Sequence, residues 1–155
     1  MRTFTRREVD AELVESILEA GRWAPSGLNN QPWRFAVICE PALKKKIATL
    51  TRYGRIVRSS PVLIAVFIDT NESYHRIKDL QATGACIQNM LLEAHSLGLG
   101  AVWLGEIIKS SDAMRDLLKL PAALELMAVV ALGHPARAPL KGRRKPLDKL
   151  VLLRV

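Results

Sequence analysis

The stretch Val62-Leu63-Ile64-Ala65-Val66-Phe67-Ile68 constrains this chain more than any other: it is an unbroken apolar run, introduced by Pro61 and ended by Asp69. Its shortness and β-branched content favour a strand over a helix, and the absence of polar alternation means that neither face can be wet. It reads as the middle strand of a sheet. A chain of 155 residues is one domain by length, residues 1–155, and at that size roughly 68–70% of the unfolded surface is buried, enough interior to hide such a strand.

Other elements arrange themselves around it. Asp10 is placed to cap a helix whose apolar positions Leu13, Ile17 and Leu18 recur at helical spacing, with Gly21 near its end. Trp33 to Cys39 reads as a second strand, and Pro41 opens a short helix through Leu43, Ile47 and Leu50 whose Lys44, Lys45 and Lys46 form a solvated side. From about Tyr74 to Leu97 the positions Ile77, Leu80, Gly84, Ile87, Leu91 and Ala94 draw a seam along a long helix that Gly98 stops. Ala82, Ala85, Cys86, Met90 and Leu92 lie off that seam, so this helix is sandwiched. It is either the core helix of a monomer or a helix shared between the sheet and a partner subunit, and its small residues favour the second reading. A strand over Ala101 to Leu104, a helix near Asp112 to Leu118 and a strand over Leu126 to Leu132 follow. An irregular basic arm from Ala136 to Lys149 leads to an apolar tail, Leu150 to Val155, that must dock somewhere. Helices and strands mix without clean βαβ repetition, so the expected class is α+β, a central mixed sheet flanked by helices.

Composition limits the function classes. Hydrophobic residues make up 49% and charged residues 25%, a balance typical of soluble folded proteins. No apolar run approaches the roughly 20 residues that span a bilayer, and no signal-peptide core follows the basic start, so a cytoplasmic protein without membrane association is expected. Cys39 and Cys86 lack metal or redox spacing and read as buried reduced thiols; His75, His95 and His134 are isolated, and no protein-bound metal is expected. The net charge of +8 suits an anionic partner, a phosphorylated cofactor or nucleic acid, and for most of these residues taken singly it suits a solvated basic surface equally well. A basic nucleic-acid or polyanion module fits the charge, but an aromatic fraction of 5% without basic-aromatic interleaving argues against it.

The segment Ala24-Pro25-Ser26-Gly27-Leu28-Asn29-Asn30-Gln31-Pro32-Trp33 concentrates loop formers and hydrogen-bonding side chains between the first helix and the Trp33 strand. Two prolines exclude helix or central strand, while Ser26, Asn29, Asn30 and Gln31 offer the amides and hydroxyl that grip a planar polar heterocycle. No Gly-x-Gly-x-x-Gly opens a helix after a strand, no Gly-x-Ser-x-Gly elbow is present, and no spacing suggests an activated nucleophile. If the chain is an enzyme, a bound cofactor supplies the chemistry.

Ala20-Gly21-Arg22-Trp23-Ala24-Pro25-Ser26, then Asn29 and Gln31-Pro32-Trp33-Arg34-Phe35, resemble the signature of the nitroreductase family of flavoproteins. The resemblance continues through Asp79, the Leu97-Gly98-Leu99-Gly100 turn and Trp103-Leu104-Gly105, to Gly133-His134-Pro135 and Arg144-Lys145-Pro146-Leu147. It implies an α+β homodimer with the long helix at its interface and two FMN molecules, each contacted by both subunits. It also implies hydride transfer from NADH or NADPH through the flavin to an electrophilic acceptor such as a nitroaromatic or quinone. No side chain is assigned as catalytic, because flavin N5 carries the hydride.

By matching position, Pro25, Ser26 and Asn29 line or hydrogen-bond the flavin and Gln31 supports the loop. Leu104 and Gly105 lie along the isoalloxazine ring, where a glycine lets a backbone donor approach closely. Arg144, with Lys141 or Arg143, pairs with the phosphate. Trp33 and Trp103 read as core residues. Members usually carry an Arg-Arg-Ser run before the position of Arg2-Thr3-Phe4, and this chain begins after it. Either Arg2 or a partner's basic arm compensates, or the start lies upstream, or flavin is held weakly; a flavin-binding protein without reductase turnover is the alternative within the same fold. The segment between Tyr53 and Pro61 is also short for the family.

Overall fold

The computed structural model describes residues 1–138 and 141–155; positions 139 and 140 of the basic arm lie outside it. The chain runs α1 (Ala11–Arg22), β1 (Trp33–Ile38), α2 (Pro41–Ile47), α3 (Gly54–Ser59), β2 (Val62–Asp69), α4 (Arg76–Ser96), β3 (Gly100–Leu104), α5 (Ser111–Leu117) and β4 (Leu124–Gly133). The strands form one sheet in the order β1-β2-β4-β3. As its apolar run requires, β2 is central: Val62, Ile64 and Val66 pack under α1 and α4, and Leu63, Ala65 and Phe67 pack under α2, α3 and α5. Burying a side chain such as Phe67 contributes roughly 1.5–3 kcal/mol each time.

All three strand pairings are antiparallel, so the sheet is not the mixed one expected. The connections explain the difference. Parallel neighbours need a crossover that runs the length of a strand. α2 and α3, of 7 and 6 residues, instead turn the chain round at the end of β1. α4, at 21 residues, is such a crossover and makes β3 run the same way as β2, but β4 inserts between them and opposes both. A register shift opposite Val66 and Phe67 lets β4 send Leu126, Val129 and Ala131 to one core and Ala128, Val130 and Leu132 to the other.

Helix α4 keeps the expected period with a different phase. Asp79, Ala82, Thr83, Cys86, Ile87, Met90 and Ala94 face the core, whereas Ile77 and Leu80 from the expected seam are exposed, as is Leu92. Polar residues can hold core positions here because their groups are satisfied locally: Thr83 Oγ1 donates to Asp79 O at 2.8 Å. Lys44 departs from the solvated lysine side in the same way. It is buried, and its Nζ donates to Ser60 O and Pro61 O at 2.8 Å each. Burial depresses its pKa, with the nearby Cys39 acting weakly the other way. Cys39 itself is exposed rather than buried; Cys86 is buried, and its thiol is pushed up to about 12 by desolvation. The tail does not dock as expected: Leu147, Leu150, Leu153 and Val155 are exposed and Leu152 is 99% exposed among the described residues.

Candidate functional site

The loop after α1 is held in a conformation that most side chains avoid. Leu28, Asn29 and Gln31 all have left-handed backbones, with φ of 54°, 56° and 45°. Such residues cost free energy, and they persist only where the surroundings fix them. Ser26 Oγ accepts the Gln31 N–H at 3.0 Å, and Gln31 Nε2 donates to Asn29 O at 3.1 Å, so the loop closes on itself. Arg34 holds its far end, donating to Gln31 O and Trp33 O while its guanidinium pairs with Asp69 at 3.4 Å.

The outward side of this loop is polar and accessible. Asn29 is exposed, and Leu28 is 85% exposed, an unusual position for a leucine. Beside it runs a groove of about 410 Å³ lined by Pro25, Ser26, Gly27, Lys78, Gln81 and the small residues of α4, Ala82 and Ala85. Tyr74 packs against Gly27 so closely that a Cβ there would overlap its hydroxyl, and Lys78 Nζ lies 5.5 Å from the Tyr74 ring centre. Ser26 Oγ accepts from the Gln31 amide, and Ser26 also lines the groove.

The inner side is anchored by Asn30, which the sequence pattern counts among the groups offered to a ligand but which turns inward, and by Asp79, to which that pattern gives no role. Asn30 Nδ2 donates to Asp79 Oδ1 at 2.8 Å and to Glu72 O at 2.9 Å. Asp79, 1% exposed in the first turn of α4, also accepts from Ser73 Oγ at 2.6 Å and from His75 N at 3.3 Å. Burial opposes its ionisation and is the largest single effect, but the donors Ser73, Asn30, His75 N and Tyr74 N together hold its carboxyl below the usual value. The available signal was its place in the helical repeat: Asp79, Thr83, Cys86 and Met90 share one face.

Leu104 and Gly105 lie elsewhere. Leu104 is buried at the end of β3, and Gly105 leads into a 3-10 turn over Glu106–Ser110. Trp103 is 41% exposed rather than core; it lies against Gly105 and reaches Gly84 of α4. Trp33 is buried as expected. Glu106 accepts from Thr51 Oγ1 at 2.6 Å and Arg52 N at 3.2 Å and pairs with Lys109, which with those hydrogen bonds lowers its pKa to about 2.

β1 and β3 occupy opposite edges of the sheet. Three strand spacings of roughly 4.8 Å separate them, about 14 Å. Within one chain the Pro25–Gln31 loop and the Leu104–Gly105 turn are therefore not side by side. The basic residues form a third group. Arg2 is exposed in a segment tied to the exit of β4 by Phe4 pairing with Pro135 and by Ala136 N donating to Thr3 O. The arm beyond that exit carries exposed Lys141, Arg143 and Arg144; Arg144 Nη1 donates only to Arg143 O, and Arg144 has no acidic partner among the described residues.

The sequence pattern of the nitroreductase family matches residues 1–54 and 49–134. The chain belongs to the nitroreductase family. A relative from Methanothermobacter thermautotrophicus, provisionally named NADH dehydrogenase/NAD(P)H nitroreductase, is 36% identical over 143 residues, covering 90% of this chain and 74% of its own. A Desulfovibrio desulfuricans structure, provisionally named nitroreductase and solved in complex with FMN, superposes with a TM-score of 0.94 at 50% identity, covering 100% of this chain and 91% of its own. The Vibrio harveyi NADPH:FMN oxidoreductase complexed with NAD+ superposes with a TM-score of 0.88 at 25% identity, over 97% of this chain and 71% of its own. Within the family frame, among the described residues no helix is long and apolar enough to cross a membrane.

Proposed function

We propose that this nitroreductase-family chain is an FMN-dependent oxidoreductase that takes reducing equivalents from NADH or NADPH and delivers them to an electrophilic acceptor, a nitroaromatic or quinone. The observation that carries this reading is the strained, internally braced loop over Pro25 to Gln31, which sets Ser26 at a groove bordered by small residues of α4 and leaves Asn29 exposed beside it.

The residues present fit FMN. Ser26 and Asn29 match the polar edge of the heterocycle, Gly105 leaves room for a flat ring against its backbone, and Lys141, Arg143, Arg144 and Arg2 supply cations for a phosphate. When bound, FMN supplies the two-electron chemistry. The side chains named are neutral at the ring and cationic at the phosphate, so the protein's part is to bind, orient and keep out water.

The site is completed by a second copy of the chain. The loop and the Gly105 turn sit on opposite sheet edges, α4 presents exposed Ile77, Leu80 and Leu92, and the tail offers exposed Leu150, Leu152, Leu153 and Val155. A homodimer in which one protomer's loop faces its partner's turn and basic arm accounts for all three. Titration of the purified chain with FMN, followed by oxidation of NADH or NADPH in the presence of a quinone or nitroaromatic, tests the reading. A chain that takes up no FMN at saturating concentration refutes it. One that binds FMN without turnover is a flavin-binding protein of this fold and not a reductase.

A further inference from the structure

We propose that Asp79 is a positioning residue for the cofactor loop, acting through Asn30, a role that rests on the flavin reading of that loop. Asp79 is a buried carboxylate with no cationic partner among the described residues, and each of its oxygens is held by neutral donors from different segments. Oδ1 takes Asn30 from the middle of the loop; Oδ2 takes Ser73 and the His75 amide from the β2-to-α4 connection. A buried charge is expensive unless its hydrogen bonds are complete, so the arrangement is stable only while the loop, the connection and the first turn of α4 stay together. Asn30 adds a second tie, to Glu72 O, and lies between Asn29 and Gln31; among the described residues the hydrogen bond from outside the loop to these two left-handed backbones is that of Arg34 to Gln31 O.

Tyr74 closes the same clasp from the outer side. It belongs to the connection that Asp79 gathers, and it packs on Gly27, one turn of the loop before Asn30. The position of the loop's outward groups is thus set from beneath by one carboxylate that touches neither groove nor cofactor. Loss of the tie leaves Ser26 and Asn29 present but no longer held in register, which weakens FMN binding more than it weakens the fold.

The test compares Asn30→Ala, Asp79→Asn and the double variant with a control, Ser60→Ala. Ser60 bridges Val62 O and Leu132 in the core, away from the loop, and its loss destabilises the fold without touching the clasp. Two quantities are read on each protein: amide hydrogen exchange over residues 27–31 without cofactor, and the FMN dissociation constant from quenching of flavin fluorescence. Asn30→Ala is expected to accelerate exchange at the loop amides at least tenfold and to raise the FMN dissociation constant at least tenfold. The double variant is expected to be no worse than the worse single one, and Ser60→Ala to lower the melting temperature with both readouts unchanged. Unchanged loop exchange in Asn30→Ala overturns the clasp, and so do additive effects of the two substitutions. Accelerated exchange with an unchanged FMN constant overturns the positioning role. A wild-type chain that binds no FMN refutes the flavin reading instead, and the exchange arm then decides the clasp by itself.

Discussion

A side chain added at Gly105 would place its Cβ 3.6 Å from the Trp103 indole nitrogen, an ordinary contact, and Gly105 has a φ of −85°, which any residue adopts. Nothing in the chain itself therefore demands glycine at this position. Gly105→Ala is expected to leave the cofactor-free protein as stable, or more stable by about 0.4–1 kcal/mol through a less disordered unfolded state. The FMN dissociation constant should rise about tenfold or more, because the methyl group occupies the space a flat ring needs against the backbone. A melting curve and an FMN titration on the same variant separate the two effects.

Glu106 follows Gly105 and ties the turn to residues Thr51 and Arg52. Its folded pKa is lowered to about 2 from an ordinary 4.5, first by Lys109, then by Thr51 and the Arg52 amide. A depressed carboxyl stabilises the folded form fully above its unfolded pKa and loses that contribution as pH falls through the folded value. The melting temperature of the wild type should fall on acidification from pH 4.5 towards 2, and Glu106→Gln, which cannot ionise, should show a shallower fall across the same window. Equal slopes in the two proteins would assign the acid sensitivity to other carboxylates.

Much of this architecture is legible in residue order, because the strongest signals are physical exclusions. Val62 to Ile68 cannot be half wet, and Pro25 and Pro32 cannot join a helix or central strand. What the sequence conceals is phase and pairing. Ile77 and Leu80 carry the apolar signal of α4 yet face outward, while Asp79 and Thr83 face the core, Asp79 satisfied by the distant Asn30 and by Ser73 and His75 just ahead of it, and Thr83 by the helix's own carbonyl. Trp103 misleads in the same way, since an aromatic in an apolar edge strand reads as core yet stands 41% exposed in its own chain. The candidate loop was found by its donors, but its strut Asn30 could be told from Asn29 only once Asp79 was placed beneath it.

The apolar tail tests the dimer. Leu152 and Val155 stand clear of their own chain, and burying such side chains contributes roughly 1.5–3 kcal/mol each. A chain ending at residue 146 should lose several kcal/mol of association free energy. Sedimentation of the full chain should give twice the 17.2 kDa protomer mass, and the shortened chain should shift towards one. Because the proposed cofactor site needs both copies, FMN uptake should fall with the dimer. A shortened chain that remains fully dimeric would place the interface on α4 alone.

Arg144 provides the sharpest distinction between cofactor binding and general basicity. Its guanidinium is exposed and has no acidic partner among the described residues, so its removal costs the fold little. A charge-assisted hydrogen bond to phosphate contributes about 1.5–3 kcal/mol, roughly a ten- to hundredfold change in affinity. Arg144→Gln should therefore weaken FMN by that factor and leave riboflavin, which shares the ring and lacks the phosphate, bound as in the wild type. Titrating both ligands against both proteins checks it. Equal losses for the two would mean that Arg144 orders the arm instead of gripping the phosphate, and the phosphate contact would then fall to Lys141, Arg143 or Arg2.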